Sequence, residues 1–149
     1  MSEYSKKTEE YIEAIFQIER KKGYARVTDI SALLKVQPPS VTEMIQKLAN
    51  KNLVKYEKYH RVTLTKKGKE IAERLHERHR VLKEFLVLVG VNEEIADKDA
   101  CEMEHVLHPE TLEKLTKFVE FIRKAPKSPK WLKHFRYFLE KGEHPPCES

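Results

Sequence analysis

The chain has 149 residues, of which 40% are hydrophobic and 36% charged, so it can bury a core while most helices keep one charged face toward water. It contains no apolar run of about 18 residues, which excludes a transmembrane helix, and its first residues lack the apolar core of a signal peptide. Two cysteines, Cys101 and Cys147, are too few for a disulfide framework. We therefore expect a soluble, intracellular and mostly helical protein.

The positive charge is concentrated in one segment. Residues 20–70 contain 13 lysines and arginines against four acidic residues, whereas the remainder contains 16 basic and 20 acidic residues. This uneven distribution favours a polyanionic partner, such as nucleic acid, for the basic segment. A lysine-rich surface that only contacts water would have the same composition. The acidic remainder then serves a different task.

Three helices are predicted in the first third of the chain. Apolar residues at helical spacing indicate a helix over 8–20, which Thr8 would cap. A short helix follows over 29–34, with Thr28 as its cap. The third begins at a proline pair, since proline in the first turn of a helix costs no hydrogen bond, and extends over 38–50.

Alternating residues over 53–57 and 61–65 predict the two strands of a β-hairpin, with 58–60 as its turn. Helical periodicity returns after the hairpin and is interrupted by glycine and proline. The fold class is therefore mainly α with a small β-hairpin. The later predicted helices cover residues 66–89, 93–107, 109–123 and 130–140.

Helix, short helix, turn, helix and hairpin occur in the order of a winged helix-turn-helix. In such a domain the second helix of the pair offers polar side chains to base edges, and the cationic hairpin tip reaches a phosphate or the minor groove. Protein-binding domains also contain such helix pairs, but the hairpin and the charge of this segment favour DNA. The candidate DNA contacts are Pro38, Pro39, Ser40, Thr42, Glu43, Gln46, Lys47, Lys58, Tyr59, His60 and Arg61.

A second group of residues has the spacing of metal ligands. Cys101, Glu104 and His105 are three or four residues apart on one predicted helix, so all three can face one point. Thiolate, carboxylate and imidazole together suit a divalent transition metal better than calcium or magnesium. Helices of a highly charged protein also acquire such spacings without a metal, and a lone cysteine is often part of a core. Two further pairs lie one turn apart, namely Glu10 with Glu13 and His76 with His79.

Four segments carry a family resemblance: TEEYIEAIF, GYARVTDISALLKVQPPSVTEMIQKL, VTLTKKGKEIAERLHERHRVLKEFL and DACEMEHVL. Together, over about residues 8–123, they resemble the diphtheria-toxin-repressor family of metal-dependent transcriptional regulators, of manganese transport regulator or iron-dependent repressor type. The resemblance implies a cytoplasmic, homodimeric repressor of metal-uptake genes that binds double-stranded operator DNA when Fe(II) or Mn(II) is bound. Longer members of the family have a C-terminal SH3-like domain, and we expect no such domain in this chain.

The resemblance also implies the domain organisation. A winged helix-turn-helix domain is expected over residues 1–71 and a helical metal-binding and dimerisation domain over 72–140. The last residues, 141–149, are expected to be a disordered tail. An extra metal site at His144 and Cys147 is the alternative for this tail.

Ligand roles carry over to the matching positions of this chain. Two ions per subunit are expected, clustered so that Glu13 and Glu104 are shared between them. His76 falls outside the motif, and we expect it to be a non-ligand together with Glu102 and His108. The implied metal ligands are Glu10, Glu13, His79, Cys101, Glu104 and His105.

Two departures from the family pattern concern the choice of metal. Iron-type members usually carry Met and Cys at the positions of Glu10 and Cys101, and manganese-type members usually carry Asp and Glu there. This chain combines an acid at position 10 with a thiol at position 101. Its thiol favours Fe(II) and its added carboxylate favours Mn(II). Lys83 and Asp97 stand where iron-type members have an acid and a histidine, so no separate ancillary site is expected.

The hypothesis from the sequence is that the metal, as corepressor, clamps the DNA-binding domain against the dimerisation domain. The two recognition helices of the dimer would then meet half-sites about 34 Å apart. One alternative is a winged-helix regulator that senses an organic ligand or, through Cys101, a thiol oxidant. A di-metal carboxylate enzyme is the other, but the chain has no paired Glu-x-x-His motifs, nucleophile triad or glycine-rich phosphate loop. We therefore expect no enzymatic activity, no small-molecule substrate and no membrane partner.

Overall fold

A computed structural model describes residues 4–146, and Cys147 lies outside the described residues. Within this range the chain forms seven α-helices and a two-stranded antiparallel hairpin, whose strands are joined by a 3₁₀ turn over Lys58–His60. The mainly α fold with a small hairpin is thereby confirmed. The elements are α1 (Lys6–Lys22), α2 (Val27–Leu34), α3 (Pro38–Asn50), β1 (Val54–Glu57), β2 (Arg61–Leu64), α4 (Lys66–Leu88), α5 (Glu93–Met103), α6 (Pro109–Lys124) and α7 (Lys130–Lys141).

α1 starts earlier than predicted. The hydroxyl oxygen of Ser5 accepts a hydrogen bond from the backbone N–H of Thr8 at 3.1 Å, so Ser5 is the N-cap and the prediction of Thr8 as the cap was wrong. Thr8 is instead buried in the helix. Gly23 ends α1 in the left-handed conformation, with φ 86°, which glycine adopts without strain.

α2 also begins earlier than predicted, at Val27, so Thr28 is not its cap. The carboxylate of Asp29 instead accepts a hydrogen bond from the backbone N–H of Arg26 at 2.9 Å. The same carboxylate pairs with Lys22 Nζ at 2.6 Å. Asp29 therefore joins the end of α1 to the start of α2.

The hairpin packs onto the helices through backbone and side-chain contacts. β1 and β2 pair in antiparallel register, with Val54 opposite Leu64. A bridge between Ala25 and Val62 adds the segment before α2 to the edge of the hairpin. Apolar side chains from α1, α2, α3, the hairpin and the start of α4 form one core, whose fully buried members include Ile12, Ile15, Ile30, Val41, Ile45, Leu48, Leu53, Val62 and Leu75.

The described chain packs as two units, and the division falls between Glu77 and Arg78, inside α4. The core described above belongs to the N-terminal unit. The predicted domain boundary after residue 71 lies on the same helix and stays a prediction. No helix in the described part of the chain is both long and apolar enough to cross a membrane.

In the C-terminal unit, α5 ends at Met103, four residues earlier than predicted, so Glu104 and His105 lie in the turn that follows it. The N–H of Glu104 still donates to the carbonyl oxygen of Ala100 at 3.1 Å, so Glu104 stays close to the helical path. The buried apolar side chains of this unit include Val81, Leu82, Ala96, Ala100, Val119 and Leu132.

Candidate functional site

Four of the candidate metal ligands come together in the C-terminal unit. His79 lies on α4, Cys101 on α5, and Glu104 and His105 in the turn after α5. His79 Nδ1 is 3.6 Å from Cys101 Sγ and 3.5 Å from Glu104 Oε2. His105 Nε2 is 3.3 Å from Glu104 Oε1. The Glu104 carboxylate therefore lies between two imidazoles, and the thiol is next to one of them.

The burial of Glu104 is unusual for an acidic side chain. Only 2% of the residue is exposed, yet neither carboxylate oxygen accepts a hydrogen bond from the residues that the structure describes. Such a carboxylate is costly to bury unless a cation neutralises it. The adjacent imidazoles are cations only when protonated, whereas a divalent transition metal binds neutral imidazole, thiolate and carboxylate together. The donor set therefore fits a metal of this class.

Two carboxylates set the electrostatics of His79. The carboxylate of Glu104 does most to raise the pKa of His79, burial of the ring opposes it, and Asp97 raises it further. Asp97 Oδ1 is 2.8 Å from His79 Nε2 and 3.6 Å from Lys83 Nζ. The hydrogen bond with His79 lowers the pKa of Asp97, and the charge of Lys83 contributes to the same shift. Asp97 was not expected from the sequence to contact a ligand.

The other two candidate ligands, Glu10 and Glu13, lie on α1 in the N-terminal unit, one helical turn apart and both half-buried. Lys6 Nζ is 3.9 Å from Glu10 Oε1. His76, which the sequence analysis placed outside the ligand set, is exposed on α4, and its ring centroid is 6.4 Å from that of Phe16. The six candidates thus divide into four on the C-terminal unit and two on the N-terminal unit.

The N-terminal half of α3 presents a polar face to solvent. The hydroxyl of Thr42 donates to the carbonyl oxygen of Pro38 at 3.2 Å, so its lone pairs remain for a partner. Glu43 pairs with Lys47 at 3.6 Å on the same helix. Thr42 is half-buried, and the exposed candidates on α3 are Pro38, Pro39, Ser40, Glu43, Gln46 and Lys47.

The hairpin tip is exposed and has unusual backbone geometry. Tyr59 is 79% exposed, and both Tyr59 and His60 have positive φ, at 64° and 60°. The Tyr56 hydroxyl lies 3.0 Å from His60 Nδ1. Lys58 and Arg61 lie on either side of Tyr59 and His60 in the chain and are exposed as well. All four predicted tip residues therefore face solvent.

A basic cluster beside the hairpin was missed by the sequence analysis. The centroid of the Tyr24 ring lies 4.5 Å from the guanidinium carbon of Arg61, 5.5 Å from that of Arg26 and 5.2 Å from Lys22 Nζ. Asp29 pairs with Lys22, and the two arginines are exposed. We call Lys22, Tyr24, Arg26 and Arg61 the Tyr24 cluster. The backbone bridge between Ala25 and Val62 places Arg61 beside this ring, and no local pattern in the sequence indicates that contact.

Family models and curated relatives cover most of the chain. The model of the iron-dependent repressor N-terminal DNA-binding domain matches residues 3–62, and that of the iron-dependent repressor metal-binding and dimerisation domain matches residues 65–133. The HTH-type transcriptional regulator MntR of Geobacillus thermodenitrificans is 41% identical over 91% of this chain and 96% of its own length. The chain belongs to the iron-dependent repressor family.

Other relatives agree with this family assignment. MntR of Bacillus subtilis is 45% identical over 72% of the chain and 75% of its own length. Among solved structures, the manganese regulator SloR matches with 28% identity and a TM-score of 0.66, over 76% of this chain and 54% of its own. IdeR of T. acidophilum matches with 26% identity and a TM-score of 0.69, over 87% and 59%. The chain thus spans a little over half the length of these two solved proteins.

Membership in this family confirms several predictions from the sequence. The protein is a metal-dependent, DNA-binding transcriptional repressor and not an enzyme, so the di-metal enzyme alternative is wrong. Its metal-binding domain takes a divalent ion, and its DNA-binding and dimerisation domains imply DNA and a second copy of the chain as partners. The resemblance identified from the four sequence segments is confirmed.

Proposed function

We propose that Mn(II) or Fe(II) is the corepressor of this protein and that two ions bind per subunit. The metal-bound homodimer binds double-stranded operator DNA in the cytoplasm and represses genes of metal uptake. The proposed metal ligands are Glu10, Glu13, His79, Cys101, Glu104 and His105.

The observation that carries this proposal is the Glu104 carboxylate. It is buried, it accepts no hydrogen bond from the described residues, and imidazoles lie within 3.5 Å of its two oxygens. A bound divalent ion would supply the positive charge that is needed to neutralise this buried carboxylate. The imidazoles of His79 and His105 would serve as neutral ligands of such an ion, and the thiol of Cys101 would bind it as a thiolate.

The choice between the two metals depends on Cys101. Its thiolate is a soft ligand, which favours Fe(II) over Mn(II), whereas the carboxylates of Glu10, Glu13 and Glu104 are hard ligands that Mn(II) accepts well. The relative ScaR is described as a manganese-activated repressor and SloR as a manganese regulator. Both metals are therefore candidates, and substitution of Cys101 distinguishes between them.

For DNA recognition, we propose that α3 enters the major groove and that the hairpin tip and the Tyr24 cluster contact phosphates. Ser40 and Glu43 at the start of α3 are exposed and Thr42 is half-buried, so polar side chains are accessible for base readout. The exposed guanidinium groups of Arg26 and Arg61 suit phosphate. The proposed DNA contacts are Pro38, Pro39, Ser40, Thr42, Glu43, Gln46, Lys47, Lys58, Tyr59, His60 and Arg61, with Lys22 and Arg26 added.

For the homodimer, we propose that α6 and α7 form the interface. Phe121 on α6 is 65% exposed, and Leu139 on α7 is 53% exposed. Trp131 and Phe138 add two more partly exposed aromatic rings on α7. Large apolar side chains exposed together on one pair of helices are typical of a surface that another protein covers.

Metal and DNA binding are thermodynamically linked in this proposal. If metal raises DNA affinity by a given factor, DNA raises metal affinity by the same factor. Such coupling is typically about 5- to 150-fold. A shift of the free protein from about 1% to about 99% of the DNA-binding conformation would need about 5.5 kcal/mol of differential metal binding.

The test begins with a duplex selected from a random library in the presence of Mn(II). Its affinity is measured by fluorescence anisotropy with EDTA and with Mn(II), anaerobic Fe(II), Co(II) or Zn(II). We expect tighter binding with Mn(II) or Fe(II), and we expect Glu104→Gln to abolish this gain. Glu102, which is exposed and lies two residues before Glu104, provides the control Glu102→Gln, which should behave as the unmodified protein. DNA affinity that is the same in EDTA and in both metals would refute the proposal.

A further inference from the structure

The two ring nitrogens of His79 face different partners in the C-terminal unit. Nε2 lies 2.8 Å from Asp97 Oδ1, which is an ordinary hydrogen-bond distance. Nδ1 lies 3.5 Å from Glu104 Oε2 and 3.6 Å from Cys101 Sγ. Two candidate metal ligands, Cys101 and Glu104, therefore lie on the Nδ1 side of the ring, and Asp97 lies on the Nε2 side.

This arrangement determines which nitrogen can bind a cation. An ionised carboxylate only accepts hydrogen bonds, so the nitrogen that faces Asp97 carries a hydrogen and donates. In the neutral imidazole the lone pair is then on Nδ1, the atom that faces Cys101 and Glu104. A metal ligand must offer a lone pair, so the contact with Asp97 presents the correct atom of His79 to the candidate site.

Lys83 completes the arrangement from the same helix as His79. The two residues are four apart on α4 and so share one face, toward α5. Lys83 Nζ is 3.6 Å from Asp97 Oδ1 and 3.5 Å from Glu93 Oε1. The ammonium group therefore contacts two carboxylates of α5 and helps to hold the side chain of Asp97 against His79.

We propose that Asp97, anchored by Lys83, is a positioning residue that fixes the ring of His79 with Nδ1 directed at the metal. The proposal rests on the proposed function, because it takes His79 as a ligand. The side chain of Asp97 is 51% exposed, so water competes for its oxygens and its loss should have a moderate effect. Outer partners of ligating histidines typically contribute about 10- to 100-fold to metal affinity, and we expect about 10-fold here.

The test compares Asp97→Ala with Asp97→Asn in the full chain. Alanine removes the acceptor, whereas asparagine keeps one acceptor oxygen without the charge. The control Asp99→Ala removes an exposed carboxylate two residues further along α5. Mn(II) affinity is measured from the free-ion signal in electron paramagnetic resonance. We expect about a 10-fold loss for Asp97→Ala, recovery of most of the affinity in Asp97→Asn, and no change in Asp99→Ala.

A second measurement observes His79 without any metal. The metal-free protein is labelled with ¹⁵N-histidine, and the Nε2–H proton of His79 is followed at about pH 9, where a free imidazole is neutral. We expect a downfield, slowly exchanging resonance in the unmodified protein and in Asp97→Asn, and its loss in Asp97→Ala. Lys83→Met keeps Asp97 and should weaken Mn(II) binding about 3-fold, which is intermediate between Asp97→Ala and the control Asp99→Ala.

The outcomes separate this inference from the proposed function. If His79→Ala loses Mn(II) affinity while Asp97→Ala retains it, Asp97 does not position the ligand and the inference is wrong. A loss of thermal stability in Asp97→Ala at unchanged Mn(II) affinity leads to the same conclusion. If His79→Ala itself binds Mn(II) as tightly as the unmodified protein, the ligand set of the proposed function is wrong instead.

Discussion

Substitution of Arg26 by alanine should make DNA binding less sensitive to salt. In the Tyr24 cluster, the Arg26 guanidinium carbon is 5.5 Å from the Tyr24 ring, and the arginine is exposed. The charge of Lys22 in the same cluster is paired with Asp29 at 2.6 Å, so Arg26 and Arg61 are the cations best able to contact a phosphate. Each phosphate contact contributes about 0.9 to the slope of log affinity against log salt concentration.

The size of the effect follows from the dimer. A homodimer has two copies of Arg26, so Arg26→Ala should reduce the slope by about 1.8. When salt rises from 50 to 200 mM, the affinity of the unmodified protein should therefore fall by a factor about 12 times larger than the affinity of Arg26→Ala. The measurement is fluorescence anisotropy with the selected duplex in saturating metal over this salt range. Sequence preference should not change, because phosphates carry no sequence information.

Two control variants separate charge from structure. Arg26→Lys keeps the positive charge and should keep the slope, even if its affinity differs. Lys98→Ala removes an exposed cation from α5 in the C-terminal unit, outside the proposed DNA and dimer surfaces, and should leave the slope unchanged. If the slope of Arg26→Ala equals that of the unmodified protein, or if affinity is lost for some sequences only, Arg26 does not contact phosphate and the reasoning is refuted.

Three further predictions concern the metal and the N-terminal unit. Cys101→Glu should move the order of activating metals toward Mn(II) in the anisotropy assay, because a carboxylate replaces the soft thiolate; an unchanged order would make Cys101 a structural thiol. Asp29→Ala should lower the free energy of unfolding by about 1 kcal/mol at pH 7. Since the contact with Lys22 lowers the pKa of Asp29 in the folded protein, this difference should persist above about pH 4 and disappear as the pH falls through the lowered pKa, which urea titrations at several pH values will show. Gly68→Ala should destabilise the protein by more than about 1 kcal/mol, although alanine normally favours a helix, because the new Cβ would lie 2.1 Å from the carbonyl oxygen of Leu53. Thermal unfolding of Gly68→Ala beside the exposed-site variant Lys67→Ala measures this, and equal stability of the two would contradict it.

Secondary structure was predicted well where periodicity is strong and less well at helix ends. The hairpin and α3 were predicted within a residue or two because alternation and a proline pair are local signals. The caps of α1 and α2 were not, because Ser5 rather than Thr8 supplies the capping oxygen and Asp29 takes a lysine from α1 as its partner. Capping depends on which side chain bends back to a free N–H, and several residues at each end have suitable chemistry.

The sequence by itself determined the family, the helical class and the types of donor atom, because each depends on residue identity and spacing along the chain. Only the tertiary structure showed which groups surround His79. Its partner Asp97 is 18 residues away, and no local pattern links the two. The structure likewise showed that Glu104 is buried without hydrogen bonds among the described residues, and that Arg61 lies over the ring of Tyr24. Burial and the direction of a ring nitrogen depend on packing between elements, which periodicity does not specify.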